Sequence, residues 1–73
     1  MAQIKIRSEI AAKVWKVEVA VGASVAEGDS IILLESMKME IPVLAPVAGA
    51  MVQLAVHEGD SVAEGQVLAV IES

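Results

Sequence analysis

One lysine in this chain has neighbours that set it apart. In the stretch "ESMKME", residues 35–40, Lys38 stands between Met37 and Met39, with Ser36 on the approach and Glu35 and Glu40 fencing the group. A primary amine can accept an acyl group or serve as a plain solubilising charge. The first use requires loss of its proton; an exposed ammonium is a poor nucleophile on its own. Little else in the chain suggests chemistry. His57 is the only histidine, has no Ser, Cys or paired base near it in sequence, and reads as a solvent-facing strand end. Asp29 and Asp60 fall in turn segments, where bonding to the local backbone suffices. Trp15, the single aromatic, reads as core or as a half-buried packing residue rather than a stacking platform. No metal-ligand cluster is visible in the sequence, and an enzyme with its own catalytic apparatus is not expected.

The elements that must hold Lys38 have to be built within 73 residues, which make one domain, 1–73, without room for a catalytic cleft. Hydrophobic residues make up 56% of the chain and are mostly Val, Ile, Leu, Ala and Met, a composition that favours strands. With no cysteine, the fold must hold by packing alone, and a reducing, cytoplasmic setting is expected. The net charge is −5, and the five basic residues form no dense patch, so nucleic acid is not an expected partner. No apolar run reaches the roughly 18 to 20 residues of a membrane span, and "MAQIKIRSEI" lacks the apolar centre of a signal peptide. No membrane partner is expected either.

An internal repeat organises the rest. Residues 14–35 lie over residues 51–72 without a gap at an offset of 37, with "SVAEG" at the centre of both copies. Each copy alternates with period two through "VWKVEVAV" or "MVQLAVHE", turns at a glycine, crosses "SVAEG", and ends in an apolar run. Gly22 and Gly59 follow a strand where positive φ is required. The predicted fold is all-β: a flattened, pseudo-twofold symmetric β-barrel or sandwich of two antiparallel sheets whose core is drawn from both copies. By the same offset Lys38 is the counterpart of Met1, which predicts that it lies at the opposite end of the molecule from the termini.

Between the copies, pairing about a two-residue turn at Met37 and Lys38 sets Ser36 against Met39, Glu35 against Glu40 and Leu33 against Pro42. Leu33 and Pro42 then occupy a non-hydrogen-bonded position, where proline removes no ladder bond. The turn itself breaks the local rules. Two-residue hairpins call for Asn-Gly or Gly-X, and two glutamates directly opposite repel. Several local rules failing at one tip of an otherwise consistent sequence point to a functional site.

These residues resemble the biotin-acceptor motif. "ESMKME" is similar to the Ala-Met-Lys-Met signature of biotinyl domains in the biotinyl/lipoyl attachment family, and "VLAPVAGAMVQLAVHEGDSVAEGQVLAVIE" is similar to the family's second half. The resemblance implies a barrel-sandwich hybrid with biotin joined covalently to Lys38 by a biotin protein ligase. Met37 and Met39 match the flanking recognition residues, and Glu35 and Glu40 match frequent acidic neighbours. Flexible thioethers suit contact with more than one partner. The implied function is that of a biotin carboxyl carrier, a monomer that docks transiently and shuttles a carboxyl group between a biotin carboxylase and a carboxyltransferase. It would be the substrate of the ligase and a carboxylase component, not the catalyst. The alternatives are a lipoyl carrier, with lipoate on the same lysine, or an unmodified interaction module. Two departures stand out: Ser36 replaces the usual Ala, and residues 8–14 read "SEIAAKV" where many relatives carry a Pro- and Gly-rich "APMPG". The gapless repeat leaves no room for the "thumb" insertion of some carriers, and a start at Met1 leads to the expectation of a complete, stand-alone protein.

Overall fold

Short alternating runs of β-branched and aliphatic residues, cut by Gly, Pro, Asp and Ser, give eight strands in the computed structural model, which describes residues 2–73. They are β1 (Gln3–Arg7), β2 (Ala12–Val17), β3 (Ser24–Val25), β4 (Ser30–Ser36), β5 (Met39–Leu44), β6 (Gly49–Leu54), β7 (Ser61–Val62) and β8 (Val67–Glu72). Two antiparallel four-stranded sheets result, ordered β1-β8-β6-β3 and β5-β4-β2-β7. There is no helix among the described residues. Of the two forms expected, the sandwich is the one realised. β1 and β5 are edge strands of different sheets, and no closing ladder joins them.

The repeat reaches further than residues 14–35 and 51–72. The same 37-residue offset carries β1 onto β5, β2 onto β6, β3 onto β7 and β4 onto β8. It also carries the bulge at Trp15 onto the bulge at Val52, each resetting the register of its strand. Backbone bonds repeat in the same way: Gly22 N–H donates to Met51 O at 2.7 Å, and its counterpart Gly59 N–H donates to Val14 O at 2.8 Å. Both glycines sit at φ near 95°, in the left-handed region that side chains avoid. Asp29 Oδ2 accepts from Ala26 N–H, Asp60 Oδ2 from His57 N–H, and Gln66 Oε1 from Ala63 N–H, each at 2.9 Å. The local backbone bonding expected of the two aspartates is what forms.

The core comes from both copies. Ile31, Leu34 and Val14 and their counterparts Leu68, Ile71 and Met51 are each at most 1% exposed. Each such side chain contributes about 1.5–3 kcal/mol of burial, which is how a chain without disulfides holds together. The strands are shorter than the alternation suggests. Residues 18–21 leave β2, with Glu18 N–H bonded to Ile31 O at 3.0 Å, because the chain must cross from one sheet to the other before β3. Val19 keeps packing against the core through that crossing, so the period-two signal continues after the strand has ended. The β2–β3 and β6–β7 connections, residues 18–23 and 55–60, are equal in length, and neither carries an insertion.

Topology places the hairpin. Lys13 pairs with Glu35 near the β4–β5 turn and also with Ser61 of β7, so β7 lies at the hairpin end of the molecule. A short turn then starts β8, which runs away from that end and finishes with Glu72 opposite Gln3. The described ends of the chain, bonded from Ser73 N–H to Ala2 O at 2.9 Å, therefore lie far from the hairpin on a body 36 Å long. Met1, the formal counterpart of Lys38, lies outside the described residues.

Residues 8–11 take a form of their own. Ser8 is buried at 2% exposure, its hydroxyl donates to Ile10 O, and its backbone bonds Gln66 O and Gly65 N–H. A hydroxyl-centred turn thus leads into β2. The equivalent turn, residues 45–48, is stiffened by Pro46 instead.

Candidate functional site

The hairpin register is the one expected from the sequence: Ser36 faces Met39, Glu35 faces Glu40, Leu34 faces Ile41 and Leu33 faces Pro42. Counting outward from the turn, Pro42 falls at a non-hydrogen-bonded position, so its missing N–H belongs to the free edge of β5. That removes one donor from an edge which would otherwise invite another strand.

Met37 and Lys38 form the turn, with φ of 52° and 63°. Two successive positive φ values are the signature of a type I′ turn, whose twist matches the flanking strands. Neither residue is Gly, Asn or Asp, and the left-handed conformation costs each about 1–2 kcal/mol. They are the only non-glycine residues with positive φ among those described. The strain has a geometric result: Lys38 is held at the apex of a two-stranded arm, not on a free loop.

Every residue of the site is placed on this arm. Lys38 is exposed and has no hydrogen-bond or ion-pair partner among the described residues; the one close acid–base side-chain approach found there, His57 Nδ1 to Asp60 Oδ2 at 3.8 Å, is elsewhere. Met37 is 91% exposed and Met39 64%, so neither is core. Glu35 and Glu40 are exposed and directly opposed, while Ser36 is partly covered. The amine is thus open to solvent, with two apolar thioethers beside it and two carboxylates one pair behind.

Other residues resolve more simply. His57 is 88% exposed and lies in the connection just past β6. Trp15 is 50% exposed on the outer face of β2, so of its two readings the half-buried one stands and the core one does not. The cause is the bulge: Val14 points inward, Trp15 and Lys16 both stand outside, and Val17 turns in again. Sequence reasoning misses Lys13, which extends the Glu35–Glu40 row on the far side. The signal is present, since Lys13 lies one position before the start of the repeat and its counterpart is the uncharged Ala50.

Comparisons with known proteins bear on the family and the fold. The model of a biotin/lipoyl family described as "Biotin-requiring enzyme" matches residues 5–72. The chain is 50% identical over 66 residues to "Biotinylated protein TB7.3 homolog" of Mycobacterium leprae, covering 90% of this chain and 93% of that one. It is 43% identical over 60 residues to "Biotin/lipoyl attachment protein" of Bacillus subtilis, covering 82% of each. Among solved structures, the urea carboxylase of Kluyveromyces lactis contains a region with a TM-score of 0.92 and 35% identity, spanning 99% of this chain and 6% of that one.

Proposed function

The chain belongs to the biotin/lipoyl attachment family, and on that premise we propose that it is a biotin carboxyl carrier whose attachment point is Lys38. The observation that carries this reading is the tip itself: an exposed lysine, without a side-chain partner among the described residues, at a strained turn between two exposed methionines. In the attachment step the Lys38 amine, once deprotonated within the ligase, attacks the carbonyl carbon of a biotinyl-adenylate. An amide bond forms, AMP leaves, and the amine's proton passes to the ligase or to water. Met37 and Met39 are the contacts that place the amine, and Glu35, Ser36 and Glu40 shape the approach. Biotin, when bound, supplies a nitrogen that can carry a carboxyl group. The domain's own contribution is positional: a rigid arm keeps the carried group at high effective concentration near a biotin carboxylase and then a carboxyltransferase.

The residues fit such a group, since amide formation requires only a reachable amine and no pocket. A second reading, lipoate on the same lysine, is favoured by one finding, the name "Biotin/lipoyl attachment protein" carried by the Bacillus relative. Incubation of the parent and of Lys38→Arg with biotin, ATP and a biotin protein ligase tests the proposal by intact mass. One biotinyl addition to the parent and none to the variant is expected. No addition to the parent, or equal addition to both, would refute it.

A further inference from the structure

The two-fold relation between the sheets makes each outer face a control for the other. In the sheet that holds the chain ends, one cross-strand row contains Val52 and Gln53 on β6, Val70 on β8 and Lys5 on β1. The equivalent row in the hairpin sheet contains Trp15 and Lys16 on β2, Leu33 on β4 and Pro42 on β5. Val70 is 6% exposed yet stands outside the core cluster, flanked on the outer face by Lys5 and Gln53. In the hairpin sheet the Lys5 position is an exposed Pro42 and the Val52 position is a half-exposed Trp15. One step further along β5, Leu44 is 52% exposed where β1 has Arg7. These departures add apolar surface, and they fall on the sheet that carries Lys38.

The stripe's distance from the tip bears on which partner could cover it. From Lys38 to Pro42 is about 13 Å at a strand's rise of roughly 3.3 Å per residue, whereas a lysine side chain reaches only about 6 Å at ordinary bond lengths. An enzyme that must bring its own acyl carbon to Lys38 Nζ therefore presses its active-site mouth against the tip. A contact of ordinary size, about 800 Å² a side, is roughly 30 Å across and extends over the Trp15 row. An enzyme using the longer, acylated arm can work from further away. Trp is also the side chain most enriched at the energetic centre of protein contacts. We infer that the face formed by Trp15, Leu33, Pro42 and Leu44 is the docking surface for the enzyme that acylates Lys38. This rests on the reading of Lys38 as an acyl acceptor. The complementary surface is apolar at its centre, acidic towards Lys13 and Lys16, and basic towards Glu35 and Glu40.

The test copies one face onto the other. Trp15→Val with Pro42→Lys installs the residues of the terminal sheet, so folding is retained, as the thermal midpoint will report. Val52→Ala alters the other face and is the control. With a biotin protein ligase, the double variant is expected to raise KM for the carrier about tenfold with kcat within about twofold, the size of a lost interface anchor; the control leaves both unchanged. In parallel, 5-fluorotryptophan at Trp15, the only tryptophan, gives one ¹⁹F line that should shift on adding the ligase and stay put on adding a biotin carboxylase. An unchanged KM, an equal rise in the control, or a line moved by the carboxylase alone would overturn the inference. The parent in the same assay reports on Lys38 separately. If it takes no biotin, the acceptor reading fails, and the ¹⁹F line still shows whether the face is bound.

Discussion

The two sheets are copies of one design that end differently. In one, β4 and β5 are joined through Met37 and Lys38 beyond the Glu35–Glu40 pair; in the other, the equivalent pair is Glu72 opposite Gln3, on strands β8 and β1 that no turn joins. Core residues, bulges and glycine turns obey the two-fold relation, because any departure there would disturb packing shared by both copies. Departures at packed positions, such as Ser8 against Ala45 and Gly49 against Ala12, still serve the fold; the exposed apolar departures at the hairpin and on the face beside it are available for something else.

Exchanging residues between the copies turns this contrast into predictions. Lys38 has no described counterpart, and Lys38→Arg is expected to abolish acylation in the mass assay while leaving the thermal midpoint unchanged. Gly49→Ala copies Ala12 into the second repeat. There a new Cβ collides with the backbone oxygen of Glu72, and backbone cannot yield cheaply. A loss of about 2 kcal/mol is expected, a fall of roughly 10 °C in thermal midpoint, with acylation at low temperature retained. Full stability in this variant would mean that the β6–β8 contact is looser than this close approach implies.

A smaller effect separates strain from use. Met37→Asn places at the turn a residue that accepts positive φ, and should raise stability by about 0.5–1 kcal/mol in denaturant unfolding while lowering acylation efficiency. A gain in stability with undiminished acylation would show that Met37 is not a recognition contact. Smallest of all is Ser30→Val. Ser30 Oγ is buried with no partner, and the second copy has Val67 at this position. Removing an unsatisfied hydroxyl is expected to stabilise by about 1 kcal/mol or less, seen as a few degrees in a thermal melt.

Much of this contrast is legible in the amino-acid sequence. Period-two alternation, paired glycines and the "SVAEG" match identify two strand-turn-strand units, and turn length alone sets the Glu35–Glu40 and Leu33–Pro42 register. What stays hidden depends on contacts distant in sequence. The repeat becomes recognisable only from Val14 because β1 and β5 match weakly, through Ile4 with Ile41 and Ile6 with Val43. Alternation overruns the strand ends because Val19 still packs against the core after the backbone has left β2. The open seam between β1 and β5, lined by Ile6, Arg7, Ile41 and Val43 around a groove of about 420 Å³, depends on how two sheets meet and has no local signal. The choice between the core and half-buried readings of Trp15 stays open in the sequence because a bulge shifts the inward and outward phase, and alternation alone does not show where a bulge falls.

The central claim is that the tip is a biotin acceptor, and the most direct test offers the chain both choices at once. The protein is incubated with ATP, biotin, lipoate and the two corresponding ligases, and its intact mass and fragment masses are recorded. A single biotinyl group on Lys38, with little or no lipoyl product, is the predicted result. A lipoyl group on Lys38, or a chain left unmodified, would contradict it.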